Sequence, residues 1–253
     1  MKLKNRFMKR IVLFLATFLF SFTLMAQREQ EGVIRFLDIP VDGSAYDFAG
    51  QLKNKDFYPV KNSRGDLEYW KGPFNGEDVQ LYFDTFRSNL YIVIVAFPKG
   101  NKMNVKAQYN QLLNSLLDKD KYLPEDVYEE IPDNVDIGRA IREGNNFKAD
   151  FLYLSPELFS WQEREMIQRL GKNMMALESE EEQRALAEQF ASAMSEALGE
   201  NASLEDISLM LTRMASIVYG RINLCIQKTG LSYQVMLSYV NHKNAPSNNG
   251  SDL

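Results

Sequence analysis

A single histidine, His242, and a single cysteine, Cys225, set the first limit on the chemistry this chain can do. A serine triad or a multi-histidine metal centre needs histidines among its partners, and His242 stands alone near the end of the chain after the last β-like run. No catalytic set and no metal site is read from the sequence. Cys225 lies in the run GRINLCIQ with no histidine or acidic partner near it in sequence, so a small half-buried thiol is expected there and not a reactive one. Carboxylates are plentiful, at 34 Asp and Glu, and two of them suffice for glycoside hydrolysis. What defines such a pair is burial and separation in space, so no two can be singled out by spacing. Gly144 and Gly171 lie outside any glycine-rich strand-to-helix junction, so no phosphate-binding loop and no cofactor is implied.

The aromatic residues point to binding. Tyr69, Trp70, Phe74, Tyr82, Phe86 and Tyr91 fall within one short stretch. On a strand Tyr69 and Trp70 face opposite sides, so one of the two is on the wetter face. Trp70, Tyr82 and Tyr91 are the candidates for an exposed platform holding a peptide, a sugar or a protein partner; the competing role is packing beneath helices.

The elements that must position them read as α+β. Ser44 with Asp47 forms a capping box ahead of Ala45, Phe48, Ala49 and Leu52 at helical spacing. Lys61 to Asp66 is a loop, and its Arg64-Gly65-Asp66 is taken as a solvated turn. Leu67 to Phe74 is a strand, Asn75-Gly76 a type I′ turn, and Glu77 to Pro98 a hairpin turning at Arg87 to Asn89. Leu90 to Phe97 is apolar on both faces, which places it inside a sheet. A second helix spans Asn104 to Asp118 with Tyr109 and Leu112 on its apolar face. The expected unit is α-β-β-β-α, an antiparallel sheet with helices on one face.

Residues 121–146 read as an acidic linker in which solvated loops are favoured over calcium ligation. Phe147 to Leu154 is a strand. Residues 157–217 form a helical insertion with apolar stripes, one through Leu186, Phe190 and Met194 and another through Met210, Met214 and Ile217; the methionines there are read as core before groove. Gly220 to Val240 then lies beside Glu77 to Phe97 without a gap, Ile222, Leu224 and Ile226 standing where Val79, Leu81 and Phe83 do, and later residues matching up to a small offset. This makes 147–243 a second, diverged β unit carrying the insertion, after a first unit over 27–120. Residues 244–253 are expected to be a disordered tail.

Five basic residues, Lys2, Lys4, Arg6, Lys9 and Arg10, precede the uncharged apolar run Ile11 to Ala26. This is the pattern of a signal peptide over 1–26, with cleavage expected between Ala26 and Gln27; the run is too short to span a bilayer, and no later run is long enough. Losing those five charges takes the formal charge from −5 to −10. A chain that acidic lacks the basic stripe a phosphate backbone needs, which excludes nucleic acid as a partner class. One cysteine leaves no intrachain disulfide, so the hydrophobic core must hold an exported fold by itself.

Ile39 to Ser44 (IPVDGS) before a helix, GPFNGEDVQLYF with Gly72, Phe74 and Gly76 at fixed spacing, NLYIVIVAFP, and the helix bearing Tyr109 and Leu112 together resemble a family of uncharacterised exported bacterial proteins. Its repeat is similar to the α/β unit of β-lactamase inhibitor-like proteins. The resemblance covers Ile34 to Lys121 and implies fold and export, with no activity to carry over. The expected function is therefore a periplasmic or secreted, non-enzymatic protein that binds a protein or envelope ligand. A carboxylate-dependent hydrolase acting on an envelope polymer is the alternative, and self-association through the amphipathic helices from Ser179 to Val218 a third.

Overall fold

The computed structural model describes residues 32–161, 163–165, 167, 168 and 219–246. The expected signal peptide, the two apolar stripes of the insertion and the end of the tail lie outside the described residues. Within them the fold is α+β, with one eight-stranded antiparallel sheet and a two-stranded one.

The small sheet pairs β1 (Arg35–Phe36) with β2 (Ile39–Pro40) through a tight turn in which Leu37 and Asp38 both have positive φ. Helix α1 (Ala45–Lys53) starts where the capping box predicts. The Ser44 hydroxyl accepts from the Asp47 N–H at 3.1 Å and donates to its carboxylate at 2.7 Å. Then come β3 (Tyr58–Lys61), β4 (Leu67–Phe74), β5 (Glu77–Phe86) and β6 (Asn89–Ala96), followed by α2 (Lys102–Leu117). The first half thus has four strands between its helices where three are expected. β3 escapes a pattern reading because it contains Pro59 and three of its four side chains are exposed, as at a sheet edge.

Asn75 and Gly76 carry φ of 52° and 81°, and Arg87 and Ser88 carry 50° and 69°. Both hairpins are therefore of the type I′ kind that matches strand twist. Between Asp84 and Thr85 the β5–β6 register shifts: Asp84 faces Ile92 and Thr85 faces Leu90, leaving Tyr91 as an extra residue. This bulge explains the small offset in the comparison of hairpins, because β9 (Gly220–Thr229) and β10 (Ser232–Asn241) pair without interruption.

Residues 121–146, read as a linker, are folded onto the body. They contain β7 (Tyr122–Pro124) and the short helix α3 (Ile137–Arg142), and they bury Tyr122, Ile131 and Ile137. Two side chains of α2 hold them. The Lys106 ammonium donates to the carbonyls of Pro132, Asp133 and Val135 at 2.8, 2.9 and 2.7 Å. The Asn110 amide bonds both the N–H and the C=O of Ile131, at 2.9 and 3.0 Å, as a neighbouring strand would. β8 (Lys148–Tyr153) follows, and the sheet order is β3-β4-β5-β6-β10-β9-β8-β7. The β6–β10 pairing joins the two halves into one sheet. Asn244, the first residue of the expected tail, donates to Asp42 and to the Leu90 carbonyl.

Candidate functional site

Strand alternation divides the large sheet into two unlike faces. One row of the inner face runs Trp70, Leu81, Val95, Leu237, Leu224, Ala149 through successive registers, and all six are buried. The buried side chains of α1 and α2 join these residues in a single core, Phe48 meeting Phe83 edge-on at 5.2 Å.

The opposite face can be traced just as directly. One of its rows is Tyr58, Lys71, Gln80, Ala96, Met236, Cys225, Lys148. A second is Tyr82, Ile94, Ser238, Asn223, Asp150, and a third is Asp84, Ile92, Val240, Arg221, Leu152, Leu123. None of these side chains belongs to the face that meets α1 and α2.

At the β3–β6 end this open face is lined by tyrosines. Tyr82 is 37% exposed and Tyr58 52%. The Tyr69 and Tyr82 rings lie 6.0 Å apart and tilted, within the range of a favourable aromatic pair. Tyr91 stands at the bulge, with its hydroxyl 3.5 Å from the Asp84 carboxylate. The Tyr82 hydroxyl donates to the Gln80 side chain at 3.0 Å, and Lys71 faces Asp78 at 3.3 Å. Burial, followed by Tyr69 and Glu68, raises the Tyr82 pKa; burial and then Asp84 raise that of Tyr91. Both phenols therefore stay neutral donors at physiological pH. The end of the face thus offers flat, amphipathic rings with amide, carboxylate and ammonium groups between them, a surface suited to stacking and hydrogen bonding.

Of the three residues named from the sequence, the structure brings Tyr82 and Tyr91 to this face and sends Trp70 to the other. Trp70 is 5% exposed, packs 6.5 Å from Phe83, and its buried indole N–H has no hydrogen-bond partner among the described residues. Tyr69 takes the place beside Tyr82. Tyr58 escapes the sequence reading because β3 does; the alternation of Tyr58 and Val60 after Phe57 is the signal that marks it.

The β10–β8 end of the open face is different. Lys148, Asp150, Asn223 and Ser238 form a chain of contacts in which Lys148 meets Asp150 at 2.6 Å, Asn223 donates to Asp150, and Ser238 donates to Asn223 at 3.3 Å. Arg221 pairs with Glu125 at 2.7 Å. These carboxylates are engaged by cations on the same face, and among the described residues no group of three or more His, Cys, Asp or Glu side chains could hold a metal ion. Cys225 is half-buried, and burial pushes its thiol pKa up while Lys148 pulls it down. His242 is lowered by burial and then by Arg221, so it stays a neutral ring near that pair. Among the described residues no helix is long and apolar enough to cross a membrane. Compared with known proteins, the chain matches no family model, no curated protein and no solved structure.

Proposed function

We propose that this chain is an exported, non-enzymatic binding protein of the bacterial envelope, and that its ligand lies against the tyrosine-lined end of the open face. The observation that carries this reading is the Tyr69–Tyr82 pair, two aromatic rings in contact on the side of the sheet away from α1 and α2, with Tyr82 and Tyr58 substantially exposed. Rings held this way present contact area at small entropic cost, which is why tyrosine is common in binding surfaces. The basic and apolar leader before Gln27 supports export.

The same reading takes the fold as two related units. What supports it is that ten-residue strands at 77–86 and 220–229 are each followed by a two-residue turn and a strand beginning at 89 or 232. The resemblance of residues 34–121 to β-lactamase inhibitor-like repeats agrees with it.

The test is capture from envelope extract by the mature chain and by the Tyr69→Ala/Tyr82→Ala variant. Both residues lie outside the core row, so the variant keeps its fold, which circular dichroism checks. Truncating an aromatic at the centre of an interface costs about 2 kcal/mol or more, so the captured ligand is expected to be lost or held at least about tenfold more weakly. An identical captured set would remove the tyrosines from the binding site.

A further inference from the structure

The ring pair at the tyrosine-lined end is set among polar side chains. Strand alternation puts Lys71 next after Tyr69 on the open face of β4, and puts Asp78, Gln80 and Asp84 on the same face of β5 as Tyr82. We infer that this surface binds a neutral polysaccharide, whose sugar rings stack on Tyr69 and Tyr82 while their hydroxyls bond to Asp78, Gln80 and Asp84; the ligand class follows only if these tyrosines are the ligand site.

Complementary chemistry is the first argument. A pyranose ring has a flat face of C–H bonds and a rim of hydroxyls, so it needs an apolar plate with hydrogen-bonding groups at its edge. Tyrosine rings among amide and carboxylate groups supply both. The Tyr69 and Tyr82 rings are in contact at 6.0 Å, and Gln80 holds the Tyr82 hydroxyl at 3.0 Å, so the plate is set before a ligand arrives. The two carboxylates keep room for more donors. Asp84 accepts from the Thr85 N–H at 2.7 Å and from the Tyr91 hydroxyl at 3.5 Å, and Asp78, with its side chain 69% exposed, meets Lys71 at 3.3 Å. A carboxylate offers about four acceptor sites, which leaves capacity for sugar hydroxyls.

Charge is the second argument. The cation beside the rings, Lys71, is already engaged by Asp78, and Asp84 adds a further negative charge. The patch therefore has no spare cation for phosphate, sulfate or uronate groups, and an acidic polymer is disfavoured. A protein partner centred on the ring pair has to dry the Lys71–Asp78 pair and Asp84. Interface centres are depleted in charged residues because a desolvated carboxylate is costly; a hydroxyl-rich ligand keeps those groups hydrogen-bonded. The edge of the sheet is the third argument, and it tells against a peptide added as a further strand. On β3, Pro59 has no N–H to give, and the register shifts between Val60 and Lys61, so a regular ladder cannot run along this edge.

The probe is envelope polysaccharide freed of protein by proteinase K and split on an anion exchanger into neutral and acidic fractions, each immobilised. The mature chain is expected to be retained on the neutral fraction, and hydrolysis of the glycosidic bonds in hot dilute acid to abolish that retention. Tyr69→Ala/Tyr82→Ala is expected to be held at least about tenfold more weakly. Retention on the acidic fraction alone, retention that survives hydrolysis, or none on either fraction would overturn the polysaccharide. If undigested extract then still binds the parent and not the variant, the ligand is of another class and the tyrosine site stands. Equal retention of parent and variant on the neutral fraction removes the site, and the stacking of sugar on it falls too.

Discussion

Gly72 shows how much a single side chain can ask of its neighbour. A Cβ added there would sit 2.6 Å from Cγ of Phe57, whose ring is buried and meets Phe36 at 6.1 Å, so the ring has little room to retreat. Gly72→Ala is expected to lose about 1–3 kcal/mol, seen as a lower urea midpoint with unchanged slope; a midpoint like that of the parent would mean the ring shifts freely. The spacing of Gly72, Phe74 and Gly76 was legible in the sequence, but its two glycines serve different ends. Gly76 is needed for its positive φ in the turn, whereas Gly72 is needed for the ring above it. The opposition of Tyr69 and Trp70 was equally legible from strand period. Which of the two is buried was not, because it is set by the pairing of Trp70 with Leu81 across β5.

Among the elements, α3 is the one that charge explains best. Asp136 caps it by accepting from the N–H groups of Gly138 and Arg139 at 2.8 and 3.1 Å, with the Lys102 ammonium 2.7 Å away. The Lys102 contact first, and then the Arg139 N–H, hold its carboxyl down at about 2. A folded pKa below the unfolded one means that the stabilisation is complete above the ordinary carboxylate range and is lost as pH falls from about 4 towards 2. Asp136→Asn keeps an acceptor but not the charge. The gap in urea midpoint between parent and variant is therefore expected to be constant from neutrality down to about pH 5 and to narrow below it; a gap independent of pH would remove the Lys102 contact from the account. The surrounding stretch, 121–146, was read as a linker for a physical reason. Its buried residues Tyr122, Ile131 and Ile137 recur with no helical or strand period, and its anchors, Lys106 and Asn110, act on backbone groups that no side-chain pattern reveals. β1 lies in Val33 to Ile39, which reads as extended, but its pairing with β2 across the Leu37-Asp38 turn, and the strand β3, escape a pattern reading because two to four residues carry too little alternation.

In the molecule as a whole, the two-sided apolarity of Leu90 to Phe97 correctly placed β6 inside the sheet, between β5 and β10. Stability is expected to fall outward from that centre. In hydrogen exchange of the native protein, amides of β6 and β10 should be slowest and those of β3 and β7, the two edge strands, among the fastest; slow exchange throughout β3 would show a partner along that edge. The aromatic stretch of the candidate site was also visible in the sequence, while its division between core and open face required the register. That register also constrains how the protein is made. Met236 pairs with Ala96 about 140 residues earlier in the chain, so β6 has one free backbone edge until the last hairpin has been synthesised. A growing chain therefore presents an unpaired, strongly apolar strand for most of its synthesis, the state most prone to wrong pairing with another chain. A C-terminal truncation before β9 is therefore expected to aggregate, seen as loss of soluble protein relative to the full chain.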